Sequence, residues 1–369
     1  MPPRRSPCLS TPPCDAAATP RTRPAAPRAL ACGLALLLSA GPALAAKAVD
    51  LGVLNGGIYS SARAINNKGQ TIGNAMDGIT FSTGQVLWNK TAIQDWSHCC
   101  GSGLGVPKAI NLSREAAGYN EGGFDTYPVY WSSNGTAVEL PGLPGGNGRG
   151  AAGDINNAGL VAGHTRAADG FSRHAVLWQG GVLVRDLGFM GGADNGVANQ
   201  SRAYGINNAG VVVGDAIVGS DFHAFRWVDG VFTDLGPGTA LDITDDGATI
   251  FGNAPGLIPV LWRNGVRENL PALGGGKTAY GHLAMAMNNL GDVVGYAPAL
   301  KAPSFDTAVL WRGGKAIDLG RYPGGTVSRA YGVNDKGQVV GEGNLVPDGP
   351  MHGLRWTVKP GQAVVVELQ

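Results

Sequence analysis

The sequence predicts an all-β fold, a seven-bladed β-propeller with four antiparallel strands per blade. Three observations carry this: a phrase that returns seven times, a Trp that closes a second phrase in each copy, and 60 glycines in a chain without a helical period. Length alone, 369 residues, would allow one large domain or several ordinary ones.

The first phrase reads ARAINNKGQTIGNA from Ala62 and KAINLSREAAGYN from Lys108. It returns from Ala152, Ala203, Ala240, Ala284 and Ala330, ending with AYGVNDKGQVVGEG. The second phrase ends at Trp88, Trp131, Trp178, Trp227, Trp262, Trp311 and Trp356, which lie 35 to 49 residues apart. That spacing matches propeller blades, not helical solenoids. A third phrase follows in several copies, as in VRDLG from Val184, FTDLG from Phe232 and AIDLG from Ala316.

Within the fourth copy, Ala203–Ile206 predicts a first strand. Asn207, Asn208, Ala209 and Gly210 form a tight turn, because Asn and Gly tolerate the positive φ that such turns demand. Val211–Ala216, His223–Trp227 and Val231–Leu235 complete four strands. Such a sheet cannot bury both faces alone, whereas radial stacking buries them against neighbours. Each second strand holds an interior Gly, at positions 73, 118, 163, 214, 252, 295 and 341. An interior strand Gly implies close approach of another chain segment, expected where blades narrow toward the axis. The seven Trp are expected between blades, each burying on the order of 200 Å².

Ring closure has two readings. An extra DLG phrase, Val49–Leu54, precedes the first copy and could supply the outer strand of the last blade. Ala363–Leu368 also reads as a fourth strand of the last copy. Both terminal segments are expected on one blade or on adjacent blades.

Residues 1–45 are read apart from the repeats, as an n-region and secretory signal peptide, with the propeller over residues 47–369. Arg28 precedes the apolar run ALACGLALLLSA, and Ala43, Leu44 and Ala45 offer a small-residue cleavage site. The run is too short to span a membrane. A secreted or periplasmic protein is expected. The leader takes five of the 28 basic and one of the 27 acidic residues, leaving an acidic excess of three. That argues against nucleic acid as a partner. It also takes Cys8, Cys14 and Cys32, so only Cys99 and Cys100 remain and no disulfide framework is possible.

The phrases INNAG–VVG, HAFRW from His223 and TDLG resemble the HAF-repeat family, whose members are taken to be extracellular. The resemblance covers residues 48 to 368. It implies the repeat architecture and no established reaction, ligand or cofactor. Copy two departs from it with Arg114 where the turn Gly belongs, and copy five with Thr244 and Asp245 in place of Asn-Asn.

Chemical signals are sparse. His174, His223 and His352 each stand four residues before a repeat Trp, so a structural or solvated role is expected. The repeated DLG Asp reads as a strand-end hydrogen-bonding residue. No HExxH, GxSxG or phosphate loop occurs, so no catalytic residue, metal or cofactor is assigned. Sequons fall at Asn89, Asn111, Asn134 and Asn199. The segment DWSHCCGSGLGVP breaks the repeat, which makes Trp96, His98, Cys99 and Cys100 the candidate ligand-binding group. Cys99 and Cys100 could close a vicinal disulfide, hold a soft metal with His98, or be merely structural. The function expected is that of a monomeric, non-catalytic binding or scaffold propeller, recognising a glycan, peptide or protein through loops on one face. The alternative is an extracytoplasmic hydrolase or lyase with its site in the central funnel.

Overall fold

The computed structural model describes residues 46–96, 104–190, 200–279, 281–300 and 302–359, all within the unit Pro42–Gln369. These residues form seven four-stranded antiparallel sheets. The innermost strands are Ser60–Ile65, Leu104–Ile110, Gly150–Ile155, Ser201–Ile206, Thr239–Ile243, Leu283–Met287 and Ser328–Val333, here blades 1 to 7. In blade 4 the four strands are Ser201–Ile206, Val212–Val218, Asp221–Val228 and Val231–Pro237, close to the expected bounds. Alternating small and branched residues put one face of every sheet against the next, and the core lies in the seams. The seam between blades 1 and 2 shows this: Ile72 and Leu87 of one blade pack with Ile110, Val129 and Trp131 of the next.

Trp88, Trp131, Trp178, Trp262, Trp311 and Trp356 are fully buried, and Trp227 nearly so. Three of them also donate their indole N–H to the preceding blade: Trp178 to the Pro141 carbonyl, Trp262 to Leu235 and Trp311 to Pro271. Among the described residues no helix is long and apolar enough to cross a membrane.

The N-terminal DLG phrase closes the ring. Val49–Asp50 pairs antiparallel with Met351–Thr357, so the outer strand of blade 7 comes from the start of the propeller. Asp50 accepts from His352 Nδ1 at 3.2 Å, and the amide of Gly353 donates to Ser60 Oγ at 2.8 Å. The competing strand expected at Ala363–Leu368 and the leader over residues 1–45 lie outside the described residues.

Candidate functional site

The first strand of every blade carries one extra residue. In blade 1, Ala62 pairs with Gly73 and Ala64 with Ile72, which leaves Arg63 unpaired in a β-bulge. The same register shift strands Lys108, Gly153, Tyr204, Leu241, Met285 and Tyr331 in the other blades. The second-strand Gly faces each bulge. A Cβ on Gly73 would collide with the Ser61 carbonyl, and one on Gly341 with that of Arg329. The close approach expected at these glycines is therefore within a blade, not between blades.

The bulge turns one residue per blade toward the axis, with a side chain in every blade but the third, where it is Gly153. All seven bulge residues line a central channel of about 840 Å³. The chemistry on and next to the inner strands is uneven. In blade 4, Arg202 grips Asp215 with two bonds of 2.8 Å, and Thr239 adds a third to the same carboxylate. In blade 7, Arg329 pairs with Asp306 at 2.7 Å and Tyr331 donates to Glu342. In blades 3 and 5 the residue after the bulge is Asp154 and Asp242, where blades 1, 2 and 6 have Ala64, Ala109 and Ala286. Asp154 accepts from the amides of Ile155 and Ile206, and Asp242 from those of Ile243 and Met287. Burial pushes both carboxyls above the ordinary carboxylate range, and the Asp154 charge pushes Asp242 further. Burial, with help from Arg202 and Arg173, pushes channel-lining His164 down to about 3, so it stays neutral.

The Asn-Asn turns build one rim. Asn66 Oδ1 accepts from the amides of Lys68 and Gln70, holding its own turn. Its Nδ2 donates to the carbonyl of Asn111 in the next blade at 2.8 Å. The link repeats from Asn111, Asn156, Asn207, Asn288 and Asn334, and the last of these closes onto Asn66. A second belt uses the second turn residue, whose side-chain oxygen accepts from the amide of the preceding blade. It runs through Asn157, Asn208, Asp245, Asn289, Asp335 and Asn67. Each belt lacks its link at a departing copy, the first at Thr244 and the second at Leu112. Asn111, a sequon residue, is buried in this rim. Arg114 keeps the turn conformation, at φ 66°, although it is not Gly.

The opposite face is built by the hairpins joining second and third strands. It exposes a large apolar side chain from every blade: Phe81, Phe124, Phe171, Phe222, Leu257, Leu300 and Val346. Phe124 is fully exposed and Phe81 and Phe171 are each 75% exposed. Phe81 and Leu257 also occupy the left-handed region, at φ 55° and 56°.

The residues singled out from sequence are placed variously. Trp96 is not on an exposed loop: it is 4% exposed in the seam of blades 1 and 2, its ring where a Cβ on Gly135 would be. Its role is packing. His98, Cys99 and Cys100 lie outside the described residues. His174, His223 and His352 pair with the DLG aspartates Asp186, Asp234 and Asp50, at 2.9 to 3.2 Å. Those aspartates also take the amide two residues on, that of Gly188, Gly236 and Gly52. Both repeat residues thus lock third strand to fourth. The bulge residues escaped sequence reading, though they left a signal: a position early in the repeated phrase that reads Arg, Lys, Gly, Tyr, Leu, Met and Tyr.

No family model and no curated protein matches the chain. Solved structures match the chain at low identity. The β-propeller domain of the Trilobed protease from Pyrococcus furiosus is 10% identical, with a TM-score of 0.49, over 84% of this chain and 99% of that one. TolB from Acinetobacter baumannii is 10% identical, with a TM-score of 0.42, over 71% of this chain and 61% of that one.

Proposed function

We propose that this chain is an extracytoplasmic propeller that binds a peptide or protein with one face and performs no chemistry on it. The ring of exposed apolar side chains on the second-to-third-strand hairpins carries this reading. Apolar tips in every blade cost solubility, and two of them cost backbone strain as well. A partner that covers them offsets that cost. Among glycan, peptide and protein ligands, an apolar ring favours the last two.

The buried titratable groups that a hydrolase or lyase in the channel could draw on include Asp154, Asp242 and His164. Both oxygens of each carboxylate already accept backbone amides, and these bonds tie blade 3 to 4 and blade 5 to 6. That arrangement favours a structural role for both. Peptide and glycan arrays probed with the chain from residue 46 onward test the reading, with and without reductant. Selective retention of peptides is expected. Retention of glycans alone, or of nothing, would overturn it.

A further inference from the structure

The channel holds two cations that the fold leaves uncompensated. Arg63 and Lys108 occupy the bulge positions of adjacent blades 1 and 2, so both side chains are directed into the channel. Arg202 and Arg329, on the inner strands of blades 4 and 7 but outside the channel lining, are matched: Arg202 by Asp215, Arg329 by Asp306 and Glu342. Neither Arg63 nor Lys108 has an ion pair or a side-chain hydrogen bond among the described residues. Arg63 lies over the Tyr331 ring, 4.6 Å from its centroid, which fixes the guanidinium while leaving its donors unspent. Its Nε is buried and without a hydrogen-bond partner. Glu121 lines the same channel but forms no ion pair with either cation. Loss of hydration and, after it, the charge of Arg63 hold the Lys108 ammonium below its ordinary pKa.

The fold does not require this arrangement. Equivalent positions carry Gly153, Leu241 and Met285, so the bulge does not require a cation. We infer that Arg63 and Lys108 form an oxyanion site in the channel, taking a carboxylate or phosphate group of a ligand. The guanidinium offers a planar fork for two oxygens, and the ammonium a compact second charge. The inference rests on the binding reading above and adds the chemical class that the channel selects. A carboxylate on a bound peptide, a free small carboxylate and inorganic phosphate share this chemistry.

Calorimetric titration at fixed ionic strength distinguishes them. The probes are phosphate, citrate, a peptide ending in two glutamates, and the same peptide with glutamines and an amidated end. Saturable binding of at least one anionic probe is expected, with none of the neutral peptide. The Arg63→Met and Lys108→Met variants place in blades 1 and 2 the residue that blade 6 already carries. Each is expected to weaken anion binding at least about tenfold. Lys315→Met, on an outer strand, is expected to leave it unchanged. Lys108→Met is also expected to raise the melting temperature of the unliganded chain, because it relieves the repulsion. If no anionic probe binds saturably, or the variants bind as well as the parent, the site is refuted. Array peptides that still bind, with no dependence on charge or on either variant, would refute this inference and leave the binding reading standing. No binding of any peptide would overturn both.

Discussion

The two rims of this propeller are made from the same strands and are chemically unlike. At the Asn-Asn rim the turns spend their polar groups on themselves and on the neighbouring blades, save at Leu112 and Thr244. At the hairpin rim the tips are apolar, exposed and in two blades strained. One end of the molecule satisfies its own chemistry and the other does not. Repetition marks the structural end and variation the receptive one.

That contrast is open to direct attack, most strongly at the belts. Asn207→Ala removes two bonds that hold its own turn and the link to Thr244 at once. A loss of about 3 kcal/mol is expected by denaturant unfolding, since buried partners are left unpaired. Phe124→Ser on the other rim is expected to change stability by less than about 0.5 kcal/mol. Similar losses at both rims would break the comparison.

A pH-dependent effect comes from the buried carboxylates. Asp154 and Asp242 have folded-state pKa values raised above the unfolded ones. The folded chain therefore binds more protons between the two values, and stability falls as pH rises from about 4 through neutrality. Replacing both with Ala, the residue of blades 1, 2 and 6, is expected to flatten that part of the pH profile. At about 1.4 kcal/mol per pKa unit, the change is on the order of a few kcal/mol per carboxyl. A parent profile that rises over this range would contradict the assignment. At lower pH the opposite sign applies to Asp50 and Asp186. Burial pushes them up, but bonds from His352 and His174 and from backbone amides outweigh it and leave both lowered. Their contribution is lost as pH falls through the folded values.

The departing copies sharpen the comparison by repair. Arg114→Gly removes a left-handed non-Gly residue and is expected to stabilise by about 1 kcal/mol. Leu112→Asn supplies the missing acceptor of the second belt and is expected to add about 0.5 kcal/mol. Thermal melts read both. Neither change should touch ligand binding.

Much of this architecture was legible in the sequence, because its determinants are local and repeated. The Trp spacing, the Asn-Gly turns and the DLG phrases each report on one hairpin or one seam. Ring closure through Val49–Asp50 was legible only as one of two options. The site was less legible, for a physical reason. A bulge is a register shift between two strands, so the residue it turns to the axis carries no motif of its own. Arg63 and Lys108 look like ordinary strand residues until their partners are known. The Asn-Asn turns misled in a different way, since their turn chemistry hid a second use for Nδ2. Trp96 drew notice by breaking the repeat, yet it fills the seam of blades 1 and 2.

The central claim is that partners bind the hairpin rim, and one competition measures it. Peptides selected on the chain from residue 46 onward would be titrated against three variants. Phe124→Ser and Phe171→Ser alter the hairpin rim, and Leu290→Ser removes an exposed side chain of the Asn-Asn rim. The account predicts at least about tenfold weaker binding for the two Phe variants and none for Leu290→Ser. Full affinity in both Phe variants, or a loss confined to Leu290→Ser, would contradict it.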